Sequence, residues 1–324
     1  MTKKNVLITG GLGFIGSNLA HRLVEQDCKV TLVDSLIPEY GGNLFNVSAL
    51  KDKVRINISD VRDPHAFPRL LEGQDIIFNL AGQTSHLDSM VDPHTDLDIN
   101  AKAQLSILEA CRKINPGATI IFASTRQIYG KPQYLPVDEN HPLIPVDING
   151  INKLAGEHYH LLYHRVFGMR TSVLRLTNTF GPRMRIKDAR QTFLGIWIKN
   201  LIEGKPITVF GDGLQLRDFN YVDDVVDALL AVSNSTASLG KIYNLGGQER
   251  IGLKDLAETM IDIYGTGTYE LIPFPSDRKA IDIGDYYSDF SKISTEIGWR
   301  PHTDLRSGLQ RSLTFFKEHL GYYL

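Results

Sequence analysis

The segment Thr9-Gly10-Gly11-Leu12-Gly13-Phe14-Ile15-Gly16 constrains this chain more than any other. It lies between a short β-branched apolar run at 6–9 and a pattern at 14–25 with apolar residues spaced for a helix. Its glycines read as G-x-x-G-x-x-G (Gly10, Gly13, Gly16) and also as G-x-G-x-x-G from Gly11. Glycine is needed there because backbone N–H groups must approach a pyrophosphate at a helix N-terminus, and a Cβ would block that approach. A second strand follows at 29–33, and Asp34 closes it 21 residues beyond Gly13, where a carboxylate can take a ribose diol. That carboxylate would repel a 2′-phosphate, so NAD is expected rather than NADP. Phe14 and Ile15 belong to the same cofactor-binding turn. Asp60 and Val61, just past a third strand at 54–58, are expected at the adenine edge. Leu80, Ala81 and Gly82 end a fourth strand, and their small side chains would let the cofactor ribose lie against the sheet.

The alternation continues with a helical stretch at 98–113, a strand at 119–123, a helix at 152–167 and a strand at 171–176. Strands alternating with helices of this length predict a doubly wound α/β fold, a parallel Rossmann sheet covered on both faces. After Gly181-Pro182 the segments shorten and turn residues increase. The expected organisation is an NAD-binding domain over 1–180 and a smaller mixed α+β part over 181–324, mainly for substrate, with some chain crossing back to the sheet. Residues 305–316 read as an amphipathic helix.

With 42% hydrophobic and 22% charged residues, the 324-residue chain has ample material for a core, which excludes a disordered polymer or a disulfide-stapled miniprotein. A formal charge of −2 provides no bulk field for nucleic acid or an anionic membrane, and neither partner is expected. Cys28 and Cys111 have no metal-ligand spacing, so no metal site is expected. The apolar stretch near the start, Val6-Leu7-Ile8, is too short for a signal or a membrane span, and a cytoplasmic protein is expected.

Further motifs carry a resemblance. They are Asn79-Leu80-Ala81-Gly82, Ser124-Thr125 ahead of Ile128-Tyr129-Gly130, Lys153-Leu154-Ala155-Gly156-Glu157, and Leu174-Arg175 running to Asn178 and Gly181-Pro182. Beyond them come Gly211-Asp212-Gly213, Arg217-Asp218-Phe219 and Tyr221-Val222-Asp223-Asp224. Over nearly its whole length the chain resembles the extended short-chain dehydrogenase/reductase family, in its nucleotide-sugar epimerase and dehydratase branch. The resemblance implies a bound NAD that takes a hydride from a sugar ring and later returns it. It also implies that Thr125 hydrogen-bonds the reacting hydroxyl, and that Lys153 binds the nicotinamide ribose and lowers the pKa of a tyrosine four residues before it. That tyrosine is the family's usual base.

Here the tyrosine's place is held by Asn149, which cannot take a proton near neutral pH. Three readings stand open: another group acts as base, water held by Asn149 relays the proton, or catalysis is lost. Histidine is the side chain suited to proton transfer near neutral pH, and His86 follows the fourth strand, so it is the candidate base. Asp88 suits a helix cap, Tyr129 a structural role, and His141 and Asp147 lie on a proline-rich loop nearby. On the substrate side the resemblance points to Gln83, Asn178, Arg217, Arg278 and Asp282, with the arginines for a diphosphate and Asp282 for a nucleoside ribose.

The 4,6-dehydratases of this branch carry Asp-Glu where this chain has Arg126-Gln127, and neither of these can do that acid–base work. The expected activity is therefore epimerisation of a nucleotide-diphosphate sugar through a keto intermediate, as in a UDP-glucose 4-epimerase. The alternatives are a dehydratase or reductase with a different base, and a non-catalytic binder of NAD and nucleotide sugar. Family members pair as homodimers through two helices, which here would include 98–113 and 152–167.

Overall fold

The computed structural model describes residues 3–190 and 192–324. The chain opens with β1 (Asn5–Thr9), α1 (Phe14–Glu25), β2 (Lys29–Asp34) and β3 (Val54–Ile58). It continues through α2 (Phe67–Leu71), β4 (Ile76–Asn79), α3 (His86–Val91), α4 (Pro93–Leu97), a π-turn (Asp98–Lys102) and α5 (Ala103–Ile114). Then come β5 (Thr119–Thr125), a 3-10 turn (Arg126–Tyr129), α6 (Ile148–Phe167), β6 (Arg170–Leu176) and β7 (Asn178–Phe180). The second half runs α7 (Phe193–Ile202), β8 (Ile207–Phe210), β9 (Leu216–Tyr221), α8 (Val222–Asn234), β10 (Ile242–Asn244) and β11 (Arg250–Gly252). It ends with α9 (Leu253–Tyr264), β12 (Tyr269–Ile272), α10 (Ser276–Ala280), α11 (Ser291–Ile297) and α12 (Leu305–His319).

Seven strands pair in parallel in the order β10-β6-β5-β4-β1-β2-β3. From β1 the chain winds outward through β2 and β3, then returns to β4 and winds the other way. The carboxyl ends of β1 and β4 therefore flank a topological switch point, where an open α/β sheet has its ligand crevice. Alternation along each strand feeds two cores. Val6 and Ile8 of β1, Leu32 of β2 and Ile121 of β5 pack against Leu19 of α1 and Val225 and Leu229 of α8. Leu7, Val33, Ile77 and Ile120 point the opposite way, onto Ile107 and Leu108 of α5 and Tyr163 of α6. Each such side chain, fully buried, contributes ~1.5–3 kcal/mol by leaving water.

The C-terminal half builds a third core beneath a three-stranded sheet (β11-β9-β7) and a two-stranded one (β12-β8). Trp197, Val209, Tyr221, Met260, Leu309 and Phe316 fill it. The half is not separate, since β10 extends the main sheet beside β6 and α8 covers its face.

Of the element boundaries that depart from the sequence expectation, two bear on the site. The helix expected from 152 begins at Ile148, because Asp147 caps it: Oδ1 accepts from the Gly150 N–H at 2.7 Å. The helix expected over 98–113 begins with a π-turn, in which Asn100 Nδ2 donates to the Gln83 carbonyl at 2.9 Å.

Candidate functional site

A cleft of about 910 Å³ runs along the carboxyl edge of the main sheet and beneath the C-terminal half. At one end lies the glycine turn. Gly10 has φ +68°, and a Cβ at Gly16 would stand 2.2 Å from the Gly10 carbonyl oxygen. Gly13 serves as the N-cap of α1, so no side chain accepts from the helix's first turn. Those N–H groups are left for an anion at a helix N-terminus, the seat that a dinucleotide pyrophosphate requires. Thr9 brings the wall close: its hydroxyl donates to Asn79 Oδ1 at 3.0 Å and accepts the N–H groups of Leu80 and Ala81, each at 3.1 Å.

Asp34 ends β2 inside the cleft, accepting from the Leu12 and Leu36 N–H groups at 3.0 Å each. Burial pushes its carboxyl up, and these N–H bonds partly offset that. Asp60 and Val61 line the same end, with Asp60 clamped by Arg62 through Nε at 3.0 Å and Nη2 at 2.6 Å. That bond holds its carboxyl below the usual range. Phe14, Ile15, Leu80, Ala81 and Gly82 complete this half. A Cβ at Gly82 would lie 2.9 Å from both Asn100 Oδ1 and Lys153 Nζ, so a larger residue there would displace these side-chain ends.

Thr125, Asn149, Lys153 and His86 meet at the centre of the cleft. Thr125 terminates β5, and its hydroxyl oxygen accepts from the Gln127 N–H at 3.2 Å, which leaves the hydroxyl hydrogen to donate. Lys153 Nζ donates to the Ala123 carbonyl at 3.0 Å and sits 5.0 Å over the Phe122 ring. Burial pulls this ammonium down to about 8, against the opposing charges of Asp96 and Glu157. Asn149 spends both of its amide hydrogens, one on the Gln83 carbonyl at 2.8 Å and one on Asp96 Oδ2 at 3.0 Å. Only its carbonyl oxygen is left for a ligand, and an amide oxygen accepts hydrogen bonds without taking up protons.

His86 opens α3, and its Nδ1 lies 3.0 Å from Asp147 Oδ2. The ring N–H is not aimed squarely at that oxygen. The imidazole is 36% exposed toward the cleft while the Asp147 side chain is 0% exposed. Gln127 Nε2 donates to the same Asp147 oxygen at 2.8 Å. Burial pushes the Asp147 carboxyl up, but His86 and the Gly150 and Gln127 donors outweigh it and hold the group below its usual range. Asp147 therefore stays ionised beside the imidazole.

At the far end Asn178, Arg217, Arg278 and Asp282 line the cleft. Arg217 Nη1 donates to the Leu216 carbonyl at 2.9 Å and also to that of Gly284, and Nη2 stands 3.4 Å from Asp282 Oδ1. Asp282 is thus engaged with Arg217 rather than free. Arg278 lies 5.2 Å over the Phe210 ring. Gln83 is not in the cleft wall. It is 2% exposed, and its Nε2 turns back to the Ser85 carbonyl at 2.9 Å. Ser85, not Asp88, caps α3; Asp88 instead pairs with Arg190 at 2.9 Å across the cleft mouth. His141 is buried away from the cleft, accepting the Gln133 N–H on Nε2 at 2.8 Å. Asp96, which accepts from Asn149 and Asn152, and Asn100, which donates to the Gln83 carbonyl, were missed by sequence reasoning, because nothing local marks polar groups that act from behind the wall.

The family model described as "NAD dependent epimerase/dehydratase family" matches residues 6–246. A putative UDP-glucose 4-epimerase of Methanocaldococcus jannaschii is 31% identical over 97% of this chain and 99% of its own. Among solved structures, a UDP-glucose 4-epimerase of Thermotoga maritima with UDP-glucose superposes with a TM-score of 0.88 at 28% identity, covering 98% and 99% of the two chains. The UDP-glucuronic acid 4-epimerase of Bacillus cereus, in complex with UDP-glucuronic acid and NAD, gives 0.86 at 28% identity over 97% and 99%. Sheet, glycine cradle and cleft define an NAD-dependent enzyme of the Rossmann class. The chain belongs to the NAD dependent epimerase/dehydratase family.

Proposed function

We propose that His86, held by Asp147, performs the proton transfer that tyrosine performs elsewhere in the family. The chain is an NAD-dependent nucleotide-sugar epimerase, working through a keto intermediate. The observation that carries the reading of His86 is its 3.0 Å approach to a fully buried carboxylate from a position inside the cleft. The carboxylate favours the tautomer with the proton on Nδ1 and leaves Nε2 as the acceptor. Catalytic hydrogen bonds of this kind tighten when substrate is seated.

When bound, NAD supplies the hydride acceptor for the sugar carbon and the donor that restores it. Gly10, Gly13, Gly16 and the first turn of α1 hold its pyrophosphate, and Asp34 takes a ribose diol. Thr125 orients the reacting hydroxyl, His86 Nε2 takes its proton, and the Asn149 carbonyl oxygen offers a further acceptor to the sugar or to water. The Lys153 ammonium holds the nicotinamide ribose. Asn178, Arg217 and Arg278 serve the diphosphate, and Asp282 a nucleoside ribose beside Arg217. Residues 1–180 act chiefly on NAD and residues 181–324 chiefly on the sugar nucleotide.

The test is proton NMR of the protein with NAD and a panel of nucleotide sugars that includes UDP-glucose. A new anomeric signal without net NADH is the expected result. Turnover should fall as pH rises through about 8, because the Lys153 ammonium is present below that value and lost above it. Binding without any epimer across the panel would move the chain to the non-catalytic alternative.

The cytoplasm suits two free thiols, Cys28 and Cys111, and no helix among the described residues is long and apolar enough to cross a membrane. Exposed apolar side chains lie along α6 (Ile151, Leu162, Val166 and Phe167) and at the end of α5 (Ile114). They support a homodimer through α5 and α6. Sedimentation velocity should give twice the chain mass, and a monomer at micromolar concentration would remove this assembly.

A further inference from the structure

Arg126 occupies the first position after Thr125, in the 3-10 turn, and lines the cleft. Its guanidinium lies 5.1 Å over the Tyr286 ring, and Nη2 donates to Asn178 Oδ1 at 2.9 Å. Nη1 is shielded from water and has no hydrogen-bond partner. Arg126 as a whole is half-buried. Two fully buried arginines are paired: Arg175 with Glu157 at 2.8 Å, and Arg217 with Asp282 at 3.4 Å. Arg126 has no carboxylate within ion-pair distance among the described residues; Asp218, Asp282 and Asp147 act on it only from farther away. Burial opposes its charge. A partly desolvated cation with one neutral acceptor is costly unless something else completes its shell.

Position says what that something is. Arg126 stands between Thr125, where the reacting hydroxyl is held, and Asn178, at the diphosphate end. Arg217 and Arg278 already provide guanidinium groups for the two phosphates. A third guanidinium beside the sugar calls for a third anion, and a planar fork suits a carboxylate.

Resting on the reading of the cleft as a nucleotide-sugar site, the geometry points to a nucleotide-diphosphate uronic acid as the substrate class, with Arg126 binding the carboxylate of the sugar.

The experiment is calorimetric titration of the NAD-loaded protein with UDP-glucuronate and with UDP-glucose, each against wild type, Arg126→Leu and Arg126→Lys. The expected result is a wild-type preference for UDP-glucuronate of ~10–100-fold, the worth of a charge-assisted hydrogen-bond pair. Arg126→Leu should erase the preference while changing the UDP-glucose affinity less than ~3-fold, and Arg126→Lys should keep part of it. Equal wild-type affinities, no binding of UDP-glucuronate, or a loss in Arg126→Leu that is the same for both ligands overturns the proposal. The last pattern would make Arg126 a phosphate contact. Binding is read without turnover, so a chain that selects the uronate yet yields no epimer refutes the epimerase reading alone. A chain that epimerises UDP-glucose and shows no preference refutes only this proposal.

Discussion

His86→Ala lowers kcat by ~10²–10⁴-fold, the usual range for removing a general base, while NAD and nucleotide-sugar affinities stay within a few-fold. The split follows from geometry. His86 begins a six-residue helix capped by Ser85, whose hydroxyl accepts from the Asp88 N–H at 3.1 Å. Removing the imidazole leaves that cap and the cofactor cradle in place. Asp147→Asn separates positioning from folding. Asparagine caps a helix about as well as aspartate, so α6 should hold, with Gly150 still donating to residue 147. The negative charge 3.0 Å from Nδ1 disappears, however. The imidazole then loses the partner that fixes its tautomer. The value of kcat should fall, with KM little changed. Unaltered turnover in His86→Ala would remove it as base and leave water at the Asn149 carbonyl oxygen as the relay.

How far these roles could be read from sequence depended on distance along the chain. The glycine turn was legible because its determinants are local. Four glycines within seven residues, a strand on one side, a helix on the other and an acid ending the next strand fix its shape almost alone. The start of α6 was not legible. The helix was expected only from 152, yet Gly150 belongs inside it, where a Cβ would lie 2.8 Å from Pro145 Cβ and 3.1 Å from the Gln127 carbonyl. Tertiary closeness, not propensity, chose that residue. The His86–Asp147 contact joins residues from two separate elements and became visible only once β4, β5 and α6 were side by side. Gln83 shows the reverse case: its place in the motif suggested the substrate, while its amide spans a turn behind the wall. Arg126 and Gln127 were read only for the chemistry they lack. The structure gives each a partner, Asn178 for the first and Asp147 for the second.

Glu157→Ala destabilises the protein by ~3–5 kcal/mol, the cost of leaving a buried cation without its partner. Two of the motifs that carried the resemblance, one ending in Glu157 and one opening at Leu174-Arg175, meet here rather than at the cleft. Arg175 grips the carboxylate through Nε at 3.0 and 3.2 Å and through Nη2 at 2.8 Å, with the two side chains 3% and 1% exposed. Its Nη1 donates to the Tyr129 hydroxyl at 2.7 Å, and that hydroxyl donates to Asn244 Oδ1 at 2.6 Å. One network thus ties α6, β6, the 3-10 turn and β10 together, joining the last strand of the sheet to the elements that carry Lys153 and Arg126. The penalty comes from the orphaned charge, so removing both partners should cost less than removing one. In urea titrations of the NAD-loaded protein, Glu157→Met with Arg175→Met should recover part of the loss of Glu157→Ala. Glu157→Gln should fall between wild type and Glu157→Ala, since it keeps an acceptor but not the charge. A Glu157→Ala midpoint within error of wild type would show that water reaches Arg175, and that the network joins these elements by shape rather than by charge.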